Sequence, residues 1–417
     1  MELLPRWRRW LNTPLRFLTT GFTTSLAAWL GSLPLTAYYF HIFNPVSLLA
    51  NVVIVPLSSL ALMANLGGIL CGNLLPWLTE LFNNAAWLFM YLMVWFSEAF
   101  TKIPGGWVNI PAPSLAVIAI YFALLIGITS GWLFAESRRK FSIIILLLLV
   151  IVGIWRWQSS RNQIELTVLP LNGGHAVFVD ADGRQSDWLI NCGNENAVQF
   201  TLKDFLRAQG VNKIPRLVLT EAAVRNCGGA KPLDGIFGVG ELWTSDVKFR
   251  SAVYRETVAA FEKSSRHKVL NFGDTTGAWQ VLFPLTNTLA KADDQPLVLR
   301  GNFRGTKILL LSDLSRASQS ELLNHGDDLH ADIVVAGLPN AGEPLCDALI
   351  EAIQPRVIVI ADSEYPATRR ATRALKQRLE QKKIPVIYTR DSGAVKIVAD
   401  KSGWKLTTMD GLKFNSP

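Results

Sequence analysis

The run Thr220-Glu221-Ala222-Ala223-Val224-Arg225-Asn226-Cys227-Gly228-Gly229 follows an apolar Leu217-Val218-Leu219 stretch, so a carboxylate, a guanidinium, an amide and a thiol crowd one turn ahead of paired glycines. A turn at a strand end is where imidazoles and carboxylates can be offered to zinc or manganese, which need such N and O donors. The residue types here are wrong for that. Arg225 stays protonated and cannot coordinate a cation, Ala223 has no donor atom, and the Asn226 amide ligates transition metals poorly. Glu221 and the Cys227 thiol are too few donors for a metal shell, so neither a bound metal nor any other cofactor is expected.

Other residues with chemical potential are weaker. His175, His267, His325 and His330 are the imidazoles after residue 158, and the spacing of the last two around Gly326-Asp327-Asp328 reads as a solvated turn. Ser312 beside Asp313 could form a nucleophile pair only with a base within reach. Trp188, Trp243, Trp279 and Trp404 could stack on bases, but burial in the core is the usual fate of isolated tryptophans. Arg369, Arg370, Arg373 and Lys376 make a basic stripe if one helix carries them, and such stripes are more often solvated faces than phosphate tracks.

The elements that must hold these residues fall into two unlike parts. Between Arg16 and Glu136 the only charged side chains are Glu80, Glu98 and Lys102. Five apolar spans can be drawn there and just beyond, at 17–40, 45–71, 75–100, 113–134 and 141–157, each near the ~20 residues that cross a bilayer. A cleaved signal peptide would explain the basic start Arg6-Trp7-Arg8-Arg9, but its apolar region is not followed by four more. Lys and Arg in short loops are retained in the cytoplasm. Arg6 to Arg16 and Arg138-Arg139-Lys140 fall on one side after four crossings, which places residues 158–417 on the non-cytoplasmic face. Arg156 and Arg161 argue the other way.

The formal net charge of +8 divides as +5 over residues 1–157 (nine Lys and Arg against four Asp and Glu) and +3 over the rest (32 against 29). A domain that tracks phosphates by charge would be far more basic. Residues 158–417 suffice for one domain with its own core. Strand-like runs lie at 163–169, 176–180, 187–191, 216–220, 307–311, 332–336, 356–361, 384–388 and 394–399, and helical patterns at 197–209, 251–264, 316–323, 345–353 and 366–382. Short β-rich runs followed by helix-strand alternation predict an α/β sandwich of αββα layers. The expected organisation is therefore a polytopic α-helical membrane domain, 1–157, followed by that sandwich, 158–417.

Within the membrane part, Pro45 and Pro56 each remove a backbone donor, and Asn44 and Asn51 bring amides into hydrocarbon. Such a segment belongs in a protein interior. A broken, polar span can line a transport path, or the same groups can bond between packed helices with help from Ala50, Ser58, Ser59, Ala61, Gly67 and Gly68. The whole run His41-Ile42-Phe43-Asn44-Pro45-Val46-Ser47-Leu48-Leu49-Ala50-Asn51-Val52-Val53-Ile54-Val55-Pro56-Leu57, with Thr20 to Ala28 upstream, closely resembles the signature of the competence domain of the ComEC family, inner-membrane DNA-uptake channels. Family members carry a soluble N-terminal domain, a multi-span competence domain and a metallo-β-lactamase-like domain. The resemblance here begins inside the second of these.

That resemblance implies a multi-pass protein of the bacterial inner membrane that takes part in uptake of single-stranded DNA, with Asn44, Pro45, Asn51 and Pro56 as channel candidates. Its partners would be the membrane, single-stranded DNA, and a separately encoded N-terminal portion or other competence proteins. It also aligns the hydrolase motifs. Asp-Val-Gly-Gln-Gly-Asp is matched by Pro170-Leu171-Asn172-Gly173-Gly174-His175, and Leu-Ile-Asp-x-Gly by Leu189-Ile190-Asn191-Cys192-Gly193. The metal loop is matched by Thr220 to Gly229, Thr-Gly-Asp by Leu311-Ser312-Asp313, Pro-His-His-Gly by Pro339-Asn340-Ala341-Gly342, and Tyr-Gly-His-Pro by Tyr365-Pro366. The degenerate positions are thus Glu221, Ala223, Arg225, Asn226, Asn340 and Ala341, with Asp313 a remnant, and a metal-free domain is implied. In the resembled fold Cys192 and Cys227 converge on the former metal site, where a disulfide could staple the loops; buried thiols beside glycine turns are the alternative. A membrane-anchored pseudoenzyme that binds or scaffolds is the competing functional reading.

Overall fold

The computed structural model describes residues 6–72, 74–131, 163–181, 183, 186–285 and 291–416. These divide into two compact units, one carrying the N-terminal helices and one the C-terminal sheets.

The N-terminal unit contains α1 (Arg6–Phe40), α2 (Val46–Cys71), α3 (Pro76–Thr101) and α4 (Leu115–Thr129), with strands β1 (Ile42–Phe43) and β2 (Val108–Asn109) paired antiparallel. Among the described helices, α2 alone meets both the length and the apolarity of a membrane span, and α4 is apolar but shorter. The span drawn at 141–157 lies outside the described residues. Small residues set the packing of α2 on α3, as their positions suggested. A Cβ on Gly67 would lie 2.8 Å from the Phe82 ring, and one on Gly68 2.7 Å from Asn83 Oδ1, so a side chain at either position would have to displace Phe82 or Asn83.

The C-terminal unit is built from two sheets. The first contains β3 (Ile164–Leu171), β4 (Gly174–Asp180), β5 (Trp188–Ile190), β6 (Ile214–Leu219), β7 (Val239–Ser245) and β8 (His267–Leu270). The second contains β9 (Thr275–Thr276), β10 (Trp279–Phe283), β11 (Val298–Phe303), β12 (Thr306–Ser312), β13 (Ile333–Ala336), β14 (Val357–Ile360) and β15 (Val386–Tyr388). The chain then returns to the first with β16 (Val395–Asp400), β17 (Gly403–Thr408) and β18 (Lys413–Asn415), giving the orders 18-17-16-3-4-5-6-7-8 and 15-14-13-12-11-10-9. Antiparallel pairing gives way to parallel pairing at β5–β6–β7–β8 and at β12–β13–β14–β15.

Side-chain alternation explains the layers. Val168, Val177, Ile190 and Val218 of one sheet meet Val281, Leu299, Leu310, Val335 and Val359 of the other in a shared core. The opposite face of the second sheet, with Leu309, Val334, Ile358 and Ile360, is covered by Leu322, Leu349, Ile350, Leu375 and Leu379 from three helices, Arg316–His325, Asp347–Ile353 and Arg373–Gln381. β13 and β14 are buried at every position, which parallel strands with both faces covered require. On the first sheet Leu189, Leu217, Leu219 and Leu242 are also fully buried on the outer face, where helix Ala252–Lys263 lies against β7 and β8. The result is the αββα sandwich that the alternation predicted.

Three differences have local causes. β11 went unrecognised because Gly301 interrupts the apolar pattern; a Cβ there would lie 2.4 Å from the Phe303 ring and 2.9 Å from Trp279, so the glycine marks a close approach. The helix drawn at 366–382 begins at Arg373, because the Thr372 side chain accepts a hydrogen bond from Leu375 N at 3.1 Å and caps it, leaving Ala367–Arg369 as a separate 3-10 turn. The Asn/Pro segment is not a broken span. Pro45 precedes α2, where its missing N–H costs nothing, and α2 runs unbroken through Pro56.

Candidate functional site

The chemistry-bearing loops gather at one end of the sandwich, past the C-terminal ends of β5, β6, β12, β13 and β14 and at the β3–β4 turn. Parallel strands that stop together leave a row of loops facing one another, the usual place for a site on such a sheet. Two non-glycine residues there take left-handed backbone, Asn191 at φ 59° and Ser312 at φ 51°. Backbone of that kind costs about 1–3 kcal/mol and persists where the surroundings enforce it.

Asp313 follows β12 and is almost fully buried. Its Oδ2 accepts a hydrogen bond from Arg225 Nη2 at 2.5 Å, and Arg369 Nη1 lies 3.7 Å from the same oxygen. Arg225 Nη2 also lies 3.5 Å from Glu221 Oε1, to which the Asn226 side-chain amide donates. The Asn226 Oδ1 in turn accepts from His175 N at 3.1 Å. Arg369 donates to the Leu338 carbonyl and to Asn340 Oδ1, and so joins the loops after β13 and β14. Ser363 Oγ accepts from Gly173 N at 3.0 Å, tying the β3–β4 turn to the loop after β14. Asn191 Oδ1 accepts from both the N–H and the hydroxyl of Thr220 at 3.0 Å, which fastens the loop after β5 to the end of β6.

Glycines make this approach possible. A Cβ on Gly174 would fall 2.1 Å from the Arg225 carbonyl oxygen, and one on Gly337 1.9 Å from Asp313 Oδ1.

The electrostatics follow from burial. Glu221 is pushed above the usual carboxylate range, first by burial and then by the neighbouring Asp313 charge, with Arg225 and Asn226 opposing. Burial lowers His175, Asp313 pulls it back and Arg225 lowers it further, so the imidazole is kept neutral. Burial pushes both thiols up, Cys227 to about 12.

A divalent ion would need several deprotonated donors facing one point. Glu221 and Asp313 instead share a guanidinium, a second guanidinium stands beside Asp313, and among the described residues no group of three or more His, Cys, Asp or Glu is arranged to hold a metal ion. The residues present do not fit a metal.

Of the positions singled out in the sequence, Glu221, Arg225, Asn226 and Asp313 meet here, and Asn340 joins through Arg369. Ala223 contributes its carbonyl, which accepts from Asn226 N at 2.8 Å, and Ala341 is exposed on its loop. His175 reaches the site; His267 bonds Thr244, His325 pairs with Asp327 and His330 bonds the Ile353 carbonyl. Arg369 was read as part of a solvated helix face and is instead 12% exposed and turned inward, because it precedes the helix. Arg370 and Lys376 are paired with Glu364 and Asp391. The four tryptophans after residue 158 named above are all in the core. Cys192 and Cys227 are free thiols, not a disulfide; Cys192 Sγ points at the Asn226 carbonyl at 3.6 Å.

In the N-terminal unit, Asn44 Oδ1 accepts from Ser47 N at 3.1 Å and its carbonyl accepts from Trp29 Nε1 at 3.0 Å. It therefore anchors the start of α2. Asn51 and Pro56 lie within α2, so the four channel candidates divide between a helix-entry turn and one helix.

Residues 2–135 match the family described as "Competence protein". The chain is 24% identical over 405 residues to "ComE operon protein 3" of Bacillus subtilis (strain 168), covering 89% of this chain and 50% of that protein. It is 24% identical over 394 residues to "Competence protein ComA" of Neisseria gonorrhoeae, covering 92% and 52%. The chain thus spans about half the length of these curated relatives. Among solved structures it is similar to Igni18, a metallo hydrolase from Ignicoccus hospitalis KIN4/I, at 16% identity and TM-score 0.39 over 56% of this chain and 98% of that one. It is also similar to Tm1679, a metal-dependent hydrolase of the beta-lactamase superfamily, at 12% identity and TM-score 0.39 over 55% and 98%.

Proposed function

We propose that the chain, whose residues 2–135 match the Competence protein family and which is similar to two curated competence proteins, is a ComEC-type protein that acts in uptake of single-stranded DNA across the bacterial inner membrane. The observation that carries this reading is the competence match over residues 2–135. On this reading the N-terminal unit crosses the membrane several times and the C-terminal domain lies on the non-cytoplasmic face, as the placement of Arg6 to Arg16 and Arg138 to Lys140 argues.

The C-terminal domain, on the same reading, performs no metallo-hydrolase chemistry. The Arg225–Asp313 contact supports this, since it spends on a guanidinium the carboxylate that a metal would need.

Natural transformation in a strain deleted for the chain tests the proposal. Loss of transformants, restored by the intact gene, is expected; a parental frequency in the deletion strain overturns it. The full chain purified in detergent is expected to hold no stoichiometric zinc or manganese and to cleave no DNA. Metal-dependent cleavage abolished by Asp313→Ala would overturn the non-enzymatic part.

A further inference from the structure

The ion pairs at the loop end of the sandwich join its two sheets. Asp313 hangs from β12 of the second sheet, whereas Arg225 sits on the helix turn Val224–Cys227 that follows β6 of the first, and the two touch at 2.5 Å. Arg369 reaches the same Asp313 oxygen from the turn after β14 and spends its other contacts on the Leu338 carbonyl and Asn340 of the loop after β13. One buried carboxylate is thus met by two fixed cations from different loops. Gly337, with no room for a Cβ beside Asp313, keeps the carboxylate in place.

We propose that Arg225 and Arg369 do for this domain what a bound cation would otherwise do: they neutralise Asp313 and clamp the loops of both sheets with permanent positive charge, so that this end of the fold neither needs nor admits a metal ion. The proposal rests on the metal-free reading given above and adds a structural role for two named residues. A guanidinium suits the task because it cannot lose its proton and its planar fork bonds several acceptors at once. Arg369 uses that fork on three partners. Both arginines are positioning residues here.

The test uses the full chain in detergent, followed by thermal melting and by peptide-resolved hydrogen exchange over residues 220–229, 311–316, 337–342 and 363–370. Chelator, zinc or manganese should leave the parental protein unchanged. Arg225→Ala and Arg369→Ala should each lower the melting temperature and speed exchange in all four segments, including those on the opposite sheet. Adding Asp313→Asn to either variant should recover at least half of the loss, since it removes a buried charge left with one cation instead of two. An arginine that only packs would show no such rescue, and purely additive losses overturn the clamp.

If neither arginine variant accumulates, Asp313→Asn alone decides the question. It leaves two guanidiniums facing each other, so it should melt lower and be restored by millimolar inorganic phosphate that does nothing for the parent. Parental melting without phosphate overturns the clamp. A fall in melting on chelation would instead show that the metal-free reading is what fails, and loss or retention of DNA uptake bears on neither outcome.

Discussion

Gly337 stands so close to Asp313 that a methyl group in place of its α-hydrogen would lie 1.9 Å from Oδ1 and 3.2 Å from the His175 ring. The Asp313 carboxylate cannot keep its contact with Arg225 beside such a group. Gly337→Ala is therefore expected to push Asp313 off its partner, at a cost of about 3 kcal/mol, the range for breaking a buried pair. Denaturant unfolding of the variant would measure it. An alanine variant as stable as the parent would show that Asp313 has room to move without loss.

Stability should depend on Glu221 with an unusual sign. Burial and Asp313 raise its carboxyl above the ordinary 4.5, so the folded state holds a proton that the unfolded chain releases. That contribution is fully present below the unfolded value and is lost as pH rises through the folded one. Glu221→Gln keeps an acceptor for Asn226 but cannot ionise, and should flatten the decline. Comparing unfolding midpoints at about pH 5 and about pH 8 checks this, because linkage predicts a smaller difference in the variant. Equal differences in the two proteins would remove Glu221 from the account.

Cys192 and Cys227 should be inert in the native protein. Both are buried and both are held far from thiolate formation, Cys227 at about 12 and Cys192 also raised, chiefly by burial. A thiol reagent should miss both in the folded chain and modify both after denaturation without reductant, with mass spectrometry locating the adducts. An unmodified pair that appears only after reduction would restore the disulfide.

Within α2 the polar positions should separate by role. Asn44 lies just before the N-cap Pro45 and its Oδ1 accepts from Ser47 N, so Asn44→Ala is expected to cost about 1 kcal/mol and lower the amount of inserted protein. Asn51 lies inside the helix, and Asn51→Leu should leave protein level and insertion intact while abolishing DNA uptake if this face lines the path. Pro56→Leu should do the same, since it restores a helical hydrogen bond rather than removing one. Parental uptake in both variants would take the path away from this segment.

That the turn at 220–229 is poor in metal donors is legible from residue types alone, because the donor atoms of Glu221, Ala223, Arg225 and Asn226 are properties of single residues. The sequence by itself also determined the runs that became β3, β6, β13 and β14 and the glycine pair at which α2 meets α3, since apolar spacing and missing side chains act locally. It was silent on where Arg369 points. That depends on Thr372 ending the turn before the helix, and on the register that brings the ends of β6, β12 and β14 together. Nothing in the neighbours of Arg225 or of Arg369 names Asp313 as their common partner. Charges far apart along the chain are paired only when two sheets stack, and a buried carboxylate then takes whichever cations the stacking delivers.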